Sequence, residues 1–113
     1  MQFSDYQQKS RKTAKYPDAG NNFVYPTLGL VGEAGEFAEK IKKLMRDQNI
    51  ETPSQVSADT KQEVLKELGD VLWYVSQLAS EFDVELDAVA QGNIDKLYSR
   101  LERDQISGSG DNR

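Results

Sequence analysis

Apolar residues spaced by three and four run through the two longest uninterrupted stretches of this chain, and that spacing admits helices and little else. In the first stretch Leu30, Ala34, Phe37, Ile41 and Leu44 fall on one side of a 3.6-residue turn, the pattern of a single buried stripe. In the second, Val64, Leu68, Val71, Leu72, Val75, Leu78, Ala79 and Phe82 make a broader stripe, wide enough to meet more than one neighbouring helix. No segment makes a convincing strand.

Turn signals divide the rest. A first helix is predicted from about Phe3 to Lys15, ending before Tyr16-Pro17 because the residue ahead of a proline is pushed out of the helical region. After the turn-prone run Asp18 to Asn22, a second helix starts near Thr27, an N-cap following Pro26, and continues to about Asp47. A polar loop from Gln48 to Ser57 leads to a third helix over Asp59 to Phe82, and a fourth covers Leu86 to Leu101. The fold class expected is all-α: a four-helix bundle formed by one helical domain over residues 1–106. Residues 107–113 are rich in serine and glycine, and composition alone makes them a flexible end. Trp73 stands about 140–160° from the centre of its helix's stripe, if each residue turns about 100°. A tryptophan on an outer face wants a partner, here a second subunit or a flat ligand.

At 113 residues the chain has room for only a small core, and a formal charge of −5 argues against a nucleic-acid polymer as partner. Basic residues are still grouped, at Arg11 to Lys15 and around Lys40, Lys42 and Lys43. With no cysteine there are neither disulfides nor thiolate metal sites. With no histidine, imidazole acid/base chemistry, His-ligated zinc and the Glu-x-x-His motif of di-iron bundles are all excluded. No apolar run approaches the roughly 20 residues that span a bilayer, and no signal-peptide core is visible, so no membrane partner and a cytoplasmic location are expected.

A hydrolytic base, if present, must then be a carboxylate or a metal-bound hydroxide, and two pairs of carboxylates are placed for such chemistry. Glu33/Glu36 and Glu67/Asp70 each have i,i+3 spacing, which sets two acids on neighbouring spots of one helix face. With Leu30 at zero, Glu33 falls within about 60° of the apolar stripe and Glu36 lies further out on the same flank. Glu67 adjoins its own stripe, with Asp70 about 60° beyond. Brought together, the pairs make an acidic pocket that calls for a hard divalent cation, Mg²⁺ with Mn²⁺ as a substitute. Ordinary solvent-exposed helix acids are the alternative. Gly29, Gly32, Gly35 and Gly69 beside the acids weigh against it, since an interior glycine costs about 0.8–1 kcal/mol relative to alanine and suggests close approach of backbone or ligand.

On the fourth helix Asn93 falls near the middle of the stripe of Leu86, Ala90, Ile94 and Leu97, and Lys96 and Arg100 follow on one flank. One reading is an amide hydrogen-bonded to a neighbouring helix or to a helix end, beside a solvated basic face. The functional reading is an amide aimed at a ligand, with two cationic donors suited to phosphate oxygens.

The run Leu28-Gly29-Leu30-Val31-Gly32-Glu33-Ala34-Gly35-Glu36, with Glu67-Leu68-Gly69-Asp70-Val71-Leu72-Trp73-Tyr74, resembles the MazG-like nucleoside triphosphate pyrophosphohydrolases, all-α enzymes marked by an ExxE…ExxD arrangement. The likeness extends through Thr13 to Pro17, Asn93 to Leu97 with Arg100, and the closing Gly108 to Arg113, so it covers nearly the whole chain. Thirty residues separate Glu36 from Glu67, towards or slightly beyond the long end of the family's spacing; the extra length sits in the polar loop around Pro53. The resemblance implies Mg²⁺-dependent cleavage of a nucleoside triphosphate between the α- and β-phosphates, giving a nucleoside monophosphate and pyrophosphate. It implies that Glu33, Glu36, Glu67 and Asp70 hold the metal and that the bundle is completed by homo-oligomerisation, as a dimer or tetramer. It also implies that the tail, through Asp111 and Arg113, folds over a site or a subunit interface. On this reading Lys96 and Arg100 hold phosphates, Asn93 positions sugar or phosphate, and Trp73 or Tyr74 packs between subunits or against a base. The readings that compete with it are a helical interaction module whose acids serve solubility, and a nucleotide-binding regulator with no useful turnover.

Overall fold

The computed structural model describes residues 1–104 and 106–112. Among these there are four α-helices and no strand: α1 Phe3–Arg11, α2 Val24–Gln48, α3 Ala58–Glu81 and α4 Leu86–Glu102, with a single 3₁₀ turn at Pro53–Gln55 between α2 and α3. The all-α class is as the periodicity indicated.

Local chemistry explains where the helices stop. α1 ends at Arg11, four residues short of the sequence expectation, because Thr13 and Ala14 close turns onto the carbonyls of Ser10 and Arg11. α2 begins one turn before Thr27. The Asn22 side chain accepts hydrogen bonds from the amides of Val24 and Tyr25, at 3.0 and 3.1 Å, and so does the capping assigned to Thr27. Pro26 falls in the first turn, where its missing N–H costs no helical hydrogen bond. The far end of α2 closes on Asn49 in the left-handed conformation (φ 54°), with the Asn49 amide and then that of Ile50 bonding back to the Leu44 carbonyl. Ser57 caps α3 through the Thr60 amide, and Asp83 (φ 57°) turns the chain out of it.

α2 and α3 form an antiparallel hairpin, in which Gly29 meets Tyr74 and Lys40 meets Glu67. A Cβ at Gly29 would run into the Tyr74 ring, so this glycine sets the closest approach of the two helices. Gly32, Gly35 and Gly69 do not share that role: open space lies beyond each of them.

α1 packs on α3 through a polar seam. The Ser10 and Ser76 hydroxyls are 3.1 Å apart, Gln77 Nε2 donates to Ser10 Oγ, and Arg11 Nη1 donates to Gln77 Oε1. Ser76 and Gln77 are fully buried. Gln7 then sets the start of α4, donating to the Val84 carbonyl at 2.9 Å and accepting from the Leu86 amide at 2.7 Å. α4 packs on α1 and α3 but not on α2.

The result is an open arrangement instead of a closed bundle. The radius of gyration is 17.0 Å, against about 13 Å for a compact domain of this length. Leu28 and Val31 on α2 are two-thirds exposed, and Leu65 and Leu68 on α3 are also exposed. Trp73, expected to look outward for a partner, is half-buried and finds partners within its own chain. Its indole N–H donates to Thr13 Oγ1 at 2.8 Å, and its ring meets Tyr16 and Tyr74 edge-on.

Candidate metal centre

The antiparallel register of α2 and α3 sets Glu33 opposite Glu67 and Asp70. One carboxylate oxygen from each of the three lies within 4.8 Å of the others. Glu33 and Glu67 are half-buried and Asp70 is exposed, so the inner members border the helix interface and Asp70 stands at the mouth. Glu36 is exposed and outside this group, although its charge is felt at Glu33.

Charges of one sign at this separation repel, and Glu33 records it. Burial, followed by the charges of Asp70 and Glu67, raises its pKa above the ordinary carboxylate value. Lys40 Nζ offers partial relief, at 3.6 Å from Glu67 Oε1. Two phenols feel the same field: burial and then Asp70 raise the Tyr6 pKa, while burial, Tyr25 and Glu33 raise that of Tyr74. Three convergent oxygen donors with no nitrogen or sulfur fit a hard cation such as Mg²⁺ or Mn²⁺ and suit zinc poorly. Under-neutralised anions of this kind are what such an ion would relieve.

The α4 residues form a second group. Asn93 is exposed, not central to a buried stripe. Arg100 is nearly buried and Lys96 half-exposed, and both are engaged by the C-terminal tail: Asp111 Oδ1 accepts from Lys96 Nζ at 3.1 Å and from Arg100 Nη2 at 3.3 Å. The tail is thus placed against α4 through Asp111. Arg113, also expected to fold over, lies outside the described residues.

A further carboxylate escaped sequence reasoning. Glu81, at the end of α3, accepts hydrogen bonds from Arg11 Nη2 and the Tyr16 hydroxyl, both at 2.7 Å, and from the backbone amides of Gly20 (2.8 Å) and Asn22 (2.6 Å). Its side chain is 1% exposed. Burial alone would raise its pKa, but the Asn22 amide, the Tyr16 hydroxyl, the Gly20 amide and Arg11 overcome that and bring it down to about 2. No spacing rule marks Glu81, because its partners come from α1 and from an irregular loop.

Comparison with known proteins bears on the family. The family described as "MazG nucleotide pyrophosphohydrolase domain" matches residues 26–103, a segment that contains all four acids of the two motifs. The chain is 46% identical over 118 residues to the Gene 37 protein of Mycobacterium phage L5, with both chains covered in full. It is 36% identical over 75 residues to the protein named Uncharacterized protein YvdC of Bacillus subtilis (strain 168), covering 65% of this chain and 70% of that one. No solved structure matches significantly.

Proposed function

The chain belongs to the MazG nucleotide pyrophosphohydrolase family, and we propose that it hydrolyses a nucleoside or deoxynucleoside triphosphate between the α- and β-phosphates in a Mg²⁺-dependent reaction. One observation carries this reading: the convergence of Glu33, Glu67 and Asp70 oxygens within 4.8 Å, inside the segment that the family matches.

Glu33, Glu67 and Asp70 would hold the metal, and Glu36, further along the exposed flank of α2, is assigned to the same site. Bound Mg²⁺, or Mn²⁺ in its place, supplies phosphate charge neutralisation and a more acidic water. Glu33 or Glu36 accepts the proton of the attacking water. Lys96 and Arg100 grip phosphate oxygens, and Asn93 donates to sugar or phosphate. The products are a nucleoside monophosphate and pyrophosphate.

A homodimer or homotetramer completes the bundle in this account. The support is the open shape and the exposed Leu28, Val31, Leu65 and Leu68, apolar side chains that a second copy would remove from water. Trp73 no longer contributes to that argument, being satisfied by Thr13. No helix among the described residues is long and apolar enough to cross a membrane, and the cytoplasm, where triphosphates are found, is the proposed location.

The test is a panel of standard, deoxy and modified triphosphates incubated with Mg²⁺, with products separated by chromatography. Monophosphate and pyrophosphate in equal amounts, absent when EDTA is added, are the result expected. Orthophosphate with a diphosphate would place the cleavage at the wrong bond, and no turnover of any compound would remove the hydrolase assignment.

A further inference from the structure

We propose that the C-terminal segment is a displaceable strap on the anion site of α4: Asp111 sits between Lys96 and Arg100 as an internal carboxylate stand-in, and a polyphosphate binds there by exchanging with it. The proposal rests on the reading of Lys96 and Arg100 as phosphate-holding residues.

Lys96 and Arg100 are four residues apart and so share one flank of α4. The chain returns to that flank through glycines in left-handed backbone, Gly108 (φ 122°) and Gly110 (φ 83°), conformations that other residues adopt only with strain. This return delivers a single oxygen, Asp111 Oδ1, to both cations. Arg100 Nη2 also donates to the Asp111 carbonyl at 2.8 Å. The two cations hold the Asp111 carboxyl below its ordinary pKa, Lys96 contributing first.

Two features mark the occupancy as exchangeable. First, the charges do not balance, since among the described residues two cations face one carboxylate. Second, the arginine is incompletely used. Its side chain is 4% exposed, yet its Nε has no hydrogen-bond partner among the described residues. A buried donor left unmade is costly, and a guanidinium is shaped to give Nε and Nη2 side by side to two oxygens of one oxyanion. Asp111 supplies a side-chain oxygen and a carbonyl to Nη2 and nothing to Nε. A phosphate group would engage both nitrogens and balance the second positive charge.

The tether sets what can compete. Asp111 is eleven residues from Arg100, and a short flexible link gives a tethered group an effective concentration on the order of millimolar. A free monocarboxylate at micromolar level will not displace it, whereas a di- or triphosphate brings more charge and more acceptors. The strap therefore filters for polyphosphates and returns after the pyrophosphate leaves. Asp111 itself is 82% exposed, so its truncation opens no cavity at its own position.

The experiment uses inorganic pyrophosphate as probe, with excess Mg²⁺, and compares the full chain with Asp111→Ala and Asp111→Asn by calorimetric titration. The chain has no cysteine, so Ser109→Cys carries a single spin label that reports tail motion. Melting temperatures identify any variant that fails to fold. Both Asp111 variants are expected to bind pyrophosphate about 3- to 10-fold more tightly, the gain from removing the exposed Asp111 carboxylate as a competitor. Saturating pyrophosphate is expected to mobilise the label at position 109. Equal affinity in all three chains, or a label that stays immobile at saturation, overturns the strap while leaving phosphate binding in place. No pyrophosphate binding in any chain overturns both the strap and the phosphate role of Lys96 and Arg100. Neither result depends on turnover, which the triphosphate panel measures separately.

Discussion

Two sets of carboxylates on α3, about three helical turns apart, sit in opposite electrostatic surroundings. Glu81 is enclosed by donors: a guanidinium, a phenol and two backbone amides converge on it and hold its pKa at about 2. Glu67 and Asp70 face another acid, Glu33, whose pKa is raised, with Lys40 at 3.6 Å as partial compensation. Full satisfaction of a buried charge is what a structural role requires, because an unpaired partner would be expensive. Anions turned toward one another gain nothing from the fold and are retained where a ligand supplies the missing charge. The first site fastens the irregular segment 12–23 to the end of α3; the second is assigned to chemistry.

Substitutions can break this contrast. The largest effect is expected at the acidic cluster: Glu67→Gln or Asp70→Asn should reduce triphosphate turnover by at least about 100-fold, with helical circular dichroism unchanged. Full activity in both variants would remove the site assignment. At the other site the sign is reversed. Glu81→Gln should lower stability by about 2 kcal/mol, seen as a fall of roughly 5–10 °C in melting temperature, because four donors lose a charged acceptor. A variant that melts with the parent would show that the hub does not hold the loop.

Acid titration sharpens the second case. The folded pKa of Glu81 lies below its ordinary value of 4.5, so the unfolded chain binds the proton more readily. The stabilisation is complete above about 4.5 and is lost as pH falls from there through about 2. Chemical denaturation at a series of pH values should show that slope in the parent and a weaker one in Glu81→Gln. The smallest effect is at Glu33, where Glu33→Gln, assayed without metal, should raise the melting temperature by about 1–3 °C through relief of like-charge repulsion.

Much of this architecture is legible in the sequence. The stripes of three-and-four spacing located α3 and α4 to within a residue at each end, since long amphipathic helices advertise themselves through burial. The i,i+3 acids were legible for the same reason: helical geometry fixes which side chains share a face. That reasoning grouped Glu36 with the other three acids, whereas the antiparallel register brings only Glu33 of α2 into the cluster among the described residues. Polar packing was the blind spot. Ser76 and Gln77 are fully buried against α1, and hydrophobic period cannot find a seam made of hydroxyls and amides. Trp73 was assigned outward for a related cause, because the segment after α1 that covers it has no regular period. Asn93 was assigned inward from the stripe around it and is exposed in the protomer.

The most direct test of the account is a comparison of melting temperature with and without Mg²⁺ in the parent chain and in Glu67→Gln. A ligand that binds the folded state at about ten times its dissociation constant stabilises by about 1.4 kcal/mol, so the parent should rise by a few degrees and the variant by much less. An equal rise in both chains, or none in either up to millimolar Mg²⁺, would contradict a divalent-cation site built from Glu33, Glu67 and Asp70.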